Sequence, residues 1–305
     1  MTDKVRELVF VRSDGGELAG YAPGAHVKFQ LPSGERSYSL IDFKPVSGDG
    51  GPGEYRFAVQ LEMQSTGGSQ HMHDLAVGDE AVVSPPGNDF PLVPNAPALL
   101  IAGGIGITPM ISMATALAFA ATPFRFHYAG RTSSAMAYRD ELAAAFGDQL
   151  TLHFDDQPDT ALNLQKLAAS VGEDEHVYVC GPKGMIDAVK SAMETAGIAA
   201  DRVHFELFTS AAEQSGDVAF EVEVHATGEV FTVPPGKTII EVLEDGGVDL
   251  IHDCLRGDCG ICKTDIIDGV PDHRDVVLSD SEKAEGKVMQ ICVSRAKSAR
   301  LVLDL

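Results

Sequence analysis

Four of the five cysteines in this 305-residue chain lie in its last 52 residues, and three of those lie within nine positions. The spacing is C-x4-C-x2-C-x29-C, formed by Cys254, Cys259, Cys262 and Cys292. Thiolates spaced in this way can wrap one loop around an iron–sulfur cluster while a remote fourth ligand completes the coordination. The pattern matches the plant-type 2Fe–2S spacing and predicts a redox centre in the C-terminal part of the chain.

Two glycines inside the cysteine loop support this prediction. Gly257 and Gly260 allow the backbone to turn tightly, so that amide N–H groups can point at the sulfurs and stabilise an anionic cluster. The alternative is a structural zinc site, which also takes four cysteines but usually as two C-x2-4-C pairs. Because one short pair is combined here with a single distal cysteine, the spacing favours the iron–sulfur cluster.

A glycine-rich turn forms a second candidate site, between the apolar run at residues 98–102 and a predicted helix. The turn reads Gly103-Gly104-Ile105-Gly106-Ile107-Thr108-Pro109. Bare glycines let a pyrophosphate approach backbone N–H groups at the positive end of a helix. Thr108 is predicted to cap that helix and Pro109 to lie in its first turn. Taken alone, the turn could also be a tight strand-to-helix connection without a ligand.

The sequence Cys180-Gly181-Pro182 follows another predicted strand, at residues 176–180. Ligands of open α/β sheets bind outside the carboxyl ends of the strands, and both motifs lie at such ends. A strand-end cysteine is often only a buried small apolar residue. Beside the glycine turn, however, Cys180 is predicted to lie next to a nicotinamide and to shape the hydride geometry, without acting as a nucleophile.

A third candidate site lies near the N-terminus, in Arg36-Ser37-Tyr38-Ser39-Leu40. Alternate side chains share one face of a strand, so Arg36 and Tyr38 can reach the same ligand. Tyr38 can lie against an isoalloxazine ring, Ser39 can bond its polar edge, and Arg36 can bind a phosphate. Backbone N–H groups and a hydroxyl for an anion are offered further along by Gly67, Gly68 and Ser69. These residues predict a flavin site.

The elements that position these residues change in type along the chain. Up to about residue 94, short β-type runs alternate with turn residues, most clearly at 27–31, 55–59 and 80–83, which predicts an antiparallel barrel. From residue 98, apolar strands alternate with helices, which predicts a parallel sheet covered on both faces. Three domains are therefore predicted, at residues 1–95, 96–208 and 218–305, with a linker at 209–217. Residues 272–275 are interpreted as a polar turn.

Composition limits the class of protein. Hydrophobic content of 44% and charged content of 22% are ordinary for globular domains. No apolar run approaches the ~18–20 residues needed to cross a bilayer, and the first residues lack an apolar signal core, so a cytoplasmic protein is expected. The net charge of −22 argues against non-specific nucleic-acid binding. It suits a partner with a basic docking surface, or simply solubility.

In their order along the chain, these motifs resemble the phthalate dioxygenase reductase family, and within it the vanillate O-demethylase reductase-like proteins. The resemblance covers nearly the whole chain. It implies a multidomain protein with an antiparallel β-barrel flavin domain, a ferredoxin reductase-like α/β parallel-sheet nucleotide-binding domain, and an α+β plant-type ferredoxin domain of the β-grasp type. It also implies NADH as donor, FMN rather than FAD because the ferredoxin domain comes last, and a separate Rieske-type oxygenase as partner. A monomer is expected.

The resemblance also implies roles for individual residues. The flavin would be bound by Arg36, Ser37, Tyr38, Ser39 and Leu40, and its phosphate by Gly67, Gly68 and Ser69. The nicotinamide nucleotide would be bound by Gly103, Gly104, Gly106, Thr108, Pro109, Cys180, Gly181 and Pro182. Glu206 matches an acidic residue near the flavin, with a salt-bridged surface glutamate as the alternative. Arg131 could touch the adenosine ribose, or could simply be an exposed arginine.

Electron counting links the three sites. A nicotinamide gives two electrons as hydride and a 2Fe–2S cluster takes one at a time, so a flavin must stand between them. A plant-type cluster near about −400 mV can reduce a Rieske centre at about −150 mV or above. Two alternatives remain, a redox-inactive or carrier-only ferredoxin fusion and a zinc-stabilised nucleotide-binding protein. The terminal substrate binds to the partner, and family analogy suggests demethylation of an aromatic methyl ether or a methylated amine.

Overall fold

A computed structural model of the chain describes residues 1–44, 51–62, 67–208 and 216–305. These residues form two compact units, Met1–Glu206 and Leu207–Leu305. The first unit contains the predicted barrel and the predicted parallel sheet, and the second contains all four cysteines of the predicted cluster. Most of the predicted linker, at residues 209–215, lies outside the described residues.

The barrel part of the first unit consists of antiparallel strand pairs, with β1 paired to β4 and β2 paired to β3. The two pairs are joined through the backbone, because Ile41 N donates to the carbonyl oxygen of Arg56 at 2.9 Å. Apolar side chains from all four strands fill one core. The elements are β1 (Val5–Phe10), β2 (His26–Leu31), β3 (Gly34–Ser39), β4 (Tyr55–Gln60) and α1 (Gly68–Asp74).

The predicted strand at residues 80–83 forms only one isolated bridge, between Val83 and Phe29 of β2. Ser84 N still donates to the carbonyl oxygen of Lys28 at 2.9 Å. The chain then continues into Pro85 and Pro86, whose nitrogens carry no hydrogen and cannot extend a ladder. The ladder is therefore interrupted, and pairing with β2 resumes only at an isolated bridge between Gly87 and His26.

The second part of the first unit is a five-stranded parallel sheet in the order β7-β6-β5-β8-β9. Every residue of the central strand β5 is buried, which agrees with its uninterrupted apolar sequence. One core cluster includes residues of the barrel and of the sheet, so the two parts pack as one unit. The elements are β5 (Ala98–Gly103), α2 (Ile107–Phe119), β6 (Phe124–Gly130), α3 (Arg139–Phe146), β7 (Leu150–Phe154), α4 (Leu164–Ala168), β8 (His176–Cys180), α5 (Lys183–Thr195) and β9 (Val203–Glu206).

The second unit contains a five-stranded mixed sheet in the order β11-β10-β16-β12-β14. Strands β10 and β16 are parallel, and the other neighbours are antiparallel. Capping boxes begin both helices, with Thr238 and Glu241 at one and Ser279 and Glu282 at the other. The elements are β10 (Phe220–Val224), β11 (Val230–Val233), α6 (Ile239–Asp245), β12 (Lys263–Asp268), β13 (Pro271–Asp272), α7 (Asp280–Glu285), β14 (Val288–Gln290), β15 (Arg295–Ala296) and β16 (Arg300–Leu303).

Candidate functional site

Three strand ends meet at one edge of the parallel sheet. Ala102 on β5 lies beside Cys180 on β8, and Cys180 lies beside Glu206 on β9. Cys180 and Glu206 are buried, with 0% and 3% exposure, so the alternative of a surface glutamate is wrong. Because parallel strands end at the same edge of a sheet, the fold brings together the two residues predicted to act in hydride transfer.

The glycine turn is in direct contact with the Cys180-Gly181-Pro182 segment. A Cβ added at Gly106 would lie 2.2 Å from the carbonyl oxygen of Cys180. One added at Gly103 would lie 3.0 Å from Cδ of Pro182. Both glycines are therefore required for the close approach of the two loops. Gly104 differs, because it has a φ of +56° and open space in the side-chain direction, which leaves its backbone accessible to a ligand.

Helix α2 follows the turn and begins at Ile107. Its N-cap residue is Gly106, and no side chain caps the helix. The hydroxyl of Thr108 instead donates to the carbonyl oxygen of Ile105 at 3.1 Å, so the predicted capping by Thr108 is wrong. The reason is that the helix starts two residues earlier than capping by Thr108 requires. Pro109 lies in the first turn, as predicted.

Arg131 follows directly after β6 and is exposed. Its carbonyl oxygen accepts a hydrogen bond from Asp156 N at 3.2 Å. Since β6 is the neighbour of β5 in the parallel sheet, Arg131 lies at the same edge as the glycine turn. This position is compatible with contact to a nucleotide ribose, and that role stays a prediction.

The predicted flavin residues lie on β3 and at the start of α1. A Cβ added at Gly68 would lie 3.0 Å from Cγ and 3.2 Å from Nε of Arg36, so the arginine side chain lies along the start of this helix. Gly67 is the N-cap residue and has a φ of +100°. The ring of Tyr38 packs edge-on against Phe29 at 5.5 Å, and burial raises the pKa of Tyr38 to about 12. The fold therefore brings the predicted phosphate-binding residues together.

The other residues of this segment are more buried. Ser39 is 6% exposed, and the side chain of Leu40 belongs to the barrel core. Ser37 lies opposite Lys28 in the ladder of β2 and β3. The hydroxyl of Ser69 accepts a hydrogen bond from Glu62 N at 3.1 Å. The side chain of Leu40 therefore stabilises the barrel and does not point to a ligand.

A triad of polar side chains fixes the barrel part to the sheet part within the first unit. Tyr138 Oη donates to Oε2 of Glu7 at 2.6 Å, and Arg56 Nη1 donates to Oε1 of the same carboxylate at 2.5 Å. Nearby, Thr115 Oγ1 donates to the carbonyl oxygen of Asp42 at 2.8 Å. Sequence reasoning missed these residues, because no local pattern marks a contact between positions 131 residues apart.

The four cysteines of the second unit form a chain of contacts. The thiol of Cys254 contacts those of Cys259 and Cys292, and Cys292 also contacts Cys262. Hydrogen bonds from Cys259 and Cys292 lower the pKa of Cys254, whereas the hydrogen bonds that Cys292 makes with Cys254 and Cys262, together with burial, raise the pKa of Cys292. Within the described ranges, no three His, Cys, Asp or Glu side chains are grouped so as to hold one metal ion. Four thiols that contact one another in series are better suited to a two-iron cluster than to one zinc ion.

The cysteine loop turns in the way its glycines predict. Gly257 and Gly260 have φ values of +82° and +79°, and a Cβ at Gly257 would lie 2.6 Å from Cγ2 of Val293. Arg256 N donates to Sγ of Cys254 at 3.4 Å, so a backbone amide points at a sulfur. The residues present therefore fit an anionic iron–sulfur cluster.

Asp258 lies inside the same loop, and its side chain is only 4% exposed. Its Oδ2 accepts a hydrogen bond from Leu207 N at 2.9 Å and a longer one from Arg256 Nε at 3.4 Å. Burial raises the pKa of Asp258 to about 6. Sequence analysis assigned no role to this residue, because its partner is 51 positions away.

The interpretation of residues 272–275 as an ordinary polar turn is wrong. Arg274 and Asp275 are 6% and 1% exposed. Arg274 donates to both carboxylate oxygens of Asp217, at 3.0 and 2.6 Å, and to Asp272 at 2.9 Å. These charges are buried because each has a partner of opposite sign, which a sequence pattern does not reveal.

Comparison with known proteins agrees with the geometry. The model of the 2Fe-2S iron-sulfur cluster binding domain matches residues 222–297, and that of the oxidoreductase NAD-binding domain matches residues 100–191. Tetrachlorobenzoquinone reductase of Sphingobium chlorophenolicum is 42% identical over 297 residues, which cover 94% of this chain and 90% of that protein. Vanillate O-demethylase oxidoreductase of Pseudomonas sp. (strain HR199) is 42% identical over 304 residues, covering 98% and 94%.

A solved structure decides the family. Phthalate dioxygenase reductase is 35% identical and superposes with a TM-score of 0.75, covering 100% of this chain and 94% of that one. The chain belongs to the phthalate dioxygenase reductase family. Membership confirms the predicted fold class and the oxidoreductase class. It also confirms the predicted cofactors of the family, which are FMN, NADH and a 2Fe–2S cluster.

Homologues of this chain are reductase components of oxygenase systems. The zinc-stabilised and carrier-only alternatives are therefore not supported. Within the part of the chain that the structure describes, no helix has both the length and the apolar sequence required to cross a membrane. The roles of the individual site residues and the domain boundaries stay predictions.

Proposed function

We propose that this protein serves a Rieske-type mono- or dioxygenase of the demethylase kind, to which it delivers electrons taken from NADH. The observation that carries the proposal is the meeting of Cys180, Glu206 and the glycine turn at one sheet edge, in a chain that also gathers four thiols. A donor site and a one-electron exit in one chain are what such a reductase requires.

The partner and terminal substrate are proposed from the names of relatives. One relative is a vanillate O-demethylase oxidoreductase, and the solved structure is a dioxygenase reductase. A separate oxygenase that removes a methyl group from an aromatic ether, or from a methylated amine, is the corresponding partner for this chain. A cytoplasmic location and a monomeric state stay predictions.

For the nicotinamide nucleotide, we propose a site along the edge formed by β6, β5, β8 and β9. The open backbone at Gly104 and the start of α2 would receive the pyrophosphate. Arg131 would reach the adenosine ribose. Cys180 and Glu206 would orient the nicotinamide, and the packing of Gly106 against Cys180 would hold both loops in place.

For the flavin, we propose a site on β3 and at the start of α1. Arg36 and the backbone N–H groups at Gly67 and Gly68 would bind the phosphate, since all three lie together. Tyr38 and Ser39 would contact the ring system. FMN held there would supply the chemistry that links a two-electron donor to a one-electron acceptor. The polar triad of Glu7, Arg56 and Tyr138, with hydrogen bonds of 2.5 and 2.6 Å, would keep the two sites at a constant distance.

The test is anaerobic addition of NADH to the purified, iron-loaded protein. We expect the flavin and cluster absorbance bands to bleach together, and an electron paramagnetic resonance signal of a reduced 2Fe–2S cluster to appear. A carrier-only protein would show no bleaching with NADH. Preparations that lack iron and acid-labile sulfide after reconstitution would contradict the proposal. Activity with candidate oxygenases, with NADH as donor, would then identify the partner.

A further inference from the structure

A buried glutamine lies beside one of the four cysteines in the second unit. Gln290 is 1% exposed, although glutamine side chains lie mostly at protein surfaces. It is the last residue of β14, and the antiparallel register pairs it with Lys263, the residue that follows Cys262. Sγ of Cys262 donates to Oε1 of Gln290 at 3.3 Å. The side chain of Gln290 therefore reaches a predicted cluster ligand directly.

The backbone of Gln290 supports a second ligand segment. Its carbonyl oxygen accepts hydrogen bonds from Val293 N at 3.4 Å and from Ser294 N at 3.0 Å. These bonds close the turn that carries Cys292. Gln290 is thus connected to two ligand segments, to one through its side chain and to the other through its backbone. A substitution that changes only the side chain leaves the carbonyl group of this turn in place.

One end of the Gln290 amide lacks a partner. In the residues that the structure describes, Nε2 of Gln290 is buried and makes no hydrogen bond. A buried N–H group without an acceptor costs free energy, and such groups are paired in most proteins. The unpaired donor next to Cys262 therefore indicates an acceptor that belongs to the loaded site.

Cluster binding changes what Cys262 offers to this amide. A cysteine that binds iron is a thiolate, which accepts hydrogen bonds and donates none. Oε1 of Gln290 would then face a second acceptor, and both ends of the amide would lack a partner. Rotation by about 180° around χ3 exchanges the two ends and directs Nε2 at the sulfur. The N–H group then makes a charge-assisted hydrogen bond.

We propose that Gln290 donates a hydrogen bond from Nε2 to Sγ of Cys262 in the cluster-loaded protein, and that this bond raises the reduction potential of the cluster. Hydrogen bonds to the sulfurs are one of the factors that set this potential. Because an added electron increases the negative charge, a donor at the sulfur stabilises the reduced form more than the oxidised form. This inference rests on the proposed function and deepens it, because it names a residue that sets how strongly electrons are driven to the partner.

One variant and a matched control separate this role from a general change in polarity. Gln290→Met keeps an unbranched side chain of similar length and removes both N–H groups. Thr264→Val is the control, because Thr264 is 7% exposed and its Oγ1 donates to the carbonyl oxygen of Cys262 at 3.3 Å. The control removes a buried polar group next to the same cysteine and leaves the bond to its sulfur intact.

The first measurement is the midpoint potential of the cluster in the full chain. The protein is titrated anaerobically with dithionite and mediators, and the electron paramagnetic resonance signal of the reduced cluster is followed. In Gln290→Met, the equilibrium constant for reduction should fall about tenfold, which lowers the midpoint potential by about 59 mV for one electron. Thr264→Val should keep the native potential, and both variants should keep the native iron content. A native potential in iron-loaded Gln290→Met would overturn the proposal.

The second measurement uses the native chain labelled with ¹⁵N in its glutamine side chains. After reduction by dithionite, pulsed electron paramagnetic resonance should detect a ¹⁵N coupling that is absent in Gln290→Met. Gln290 is the only glutamine in residues 216–305. If Gln290→Met retains no iron, the labelled native protein decides, since a missing ¹⁵N coupling there would overturn the proposal. Failure of the proposed function would look different, because dithionite would still reduce the cluster while NADH would bleach nothing.

Discussion

Cys180 and Glu206 are register partners on the adjacent parallel strands β8 and β9, and they are 0% and 3% exposed. Ligands of open α/β sheets bind at the carboxyl edge where these two residues lie. The glycine turn closes over the same edge through the contact of Gly106 with Cys180.

Glu206→Gln should slow flavin reduction by NADH at least about tenfold, because the proposed nicotinamide site places this buried carboxyl group at the reacting centre, where an amide would not replace its electrostatic contribution. NADH binding, followed by equilibrium titration with the oxidised protein and NAD⁺, should change little. Single-turnover stopped-flow measurements give the rate. Glu194→Gln, at an exposed position on α5, is the control and should behave as the native protein. A native rate in Glu206→Gln would limit Glu206 to a structural role.

Gly106→Ala should destabilise the first unit by about 1–3 kcal/mol and weaken NADH binding, because the new Cβ would lie 2.2 Å from a backbone oxygen. Differential scanning calorimetry and nucleotide titration give the two quantities. Gly184→Ala is the matched control. No atom lies within 4 Å of a Cβ added there, and Gly184 is helical, so we expect equal or slightly higher stability. Equal unfolding temperatures of Gly106→Ala and Gly184→Ala would contradict this prediction.

Cys292→Ser should abolish the signal of the reduced cluster while NADH still bleaches the flavin, because the remote fourth ligand is lost. Iron analysis and electron paramagnetic resonance test this directly. Cys180→Ser should keep its iron, since Cys180 belongs to the first unit and has no part in the thiol chain. Loss of iron from Cys180→Ser, or its retention in Cys292→Ser, would show that the assignment of the ligands is wrong.

Arg274→Met should destabilise the second unit by about 3–5 kcal/mol, because it leaves the buried carboxylate of Asp217 without its main partner. Thermal unfolding followed by cluster absorbance reports on this unit. Arg300→Met removes an arginine of the same length from an exposed pair with Glu221, and it should leave the unfolding temperature nearly unchanged. Similar losses in both variants would mean that the burial of Arg274 has no special importance.

Two pairs of histidines in the parallel sheet predict that stability depends on pH. Nδ1 of His127 lies 2.9 Å from Nε2 of His153, and His176 and His204 are arranged in the same way. Burial, together with His153 and Arg125, lowers the pKa of His127 to about 4, and burial also lowers those of His153 and His204.

The sign follows from proton uptake. An unfolded histidine binds a proton near pH 6.5, whereas folded His127 does so only near pH 4. As the pH falls through this window, the unfolded chain takes up protons that the folded chain does not, so the free energy of unfolding decreases. Urea titrations at several pH values measure this slope. His127→Gln should flatten the slope, and the exposed His225→Gln should not. An unchanged slope in His127→Gln would contradict the prediction.

Local residue spacing and hydrophobic periodicity were sufficient to predict the cluster and the parallel sheet. The spacing from Cys254 to Cys292 indicates the cluster, and the alternation of apolar strands and helices from residue 98 indicates the parallel sheet. Both features can be recognised from the sequence alone, because the cysteine loop and each β-α-β unit are built from residues that lie close together in the chain. The boundaries of β8 match the predicted strand at residues 176–180 residue for residue.

Contacts between distant positions were decided only by the tertiary structure. The register that places Cys180 beside Glu206, the close approach of Gly106 to Cys180, and the bond from Leu207 to Asp258 each join residues from different elements. The burial of Arg274 with Asp217 belongs to the same class. A sequence pattern reports which residues share a face of one element. Which faces meet, and which charges are buried together, depends on how the elements of each unit pack.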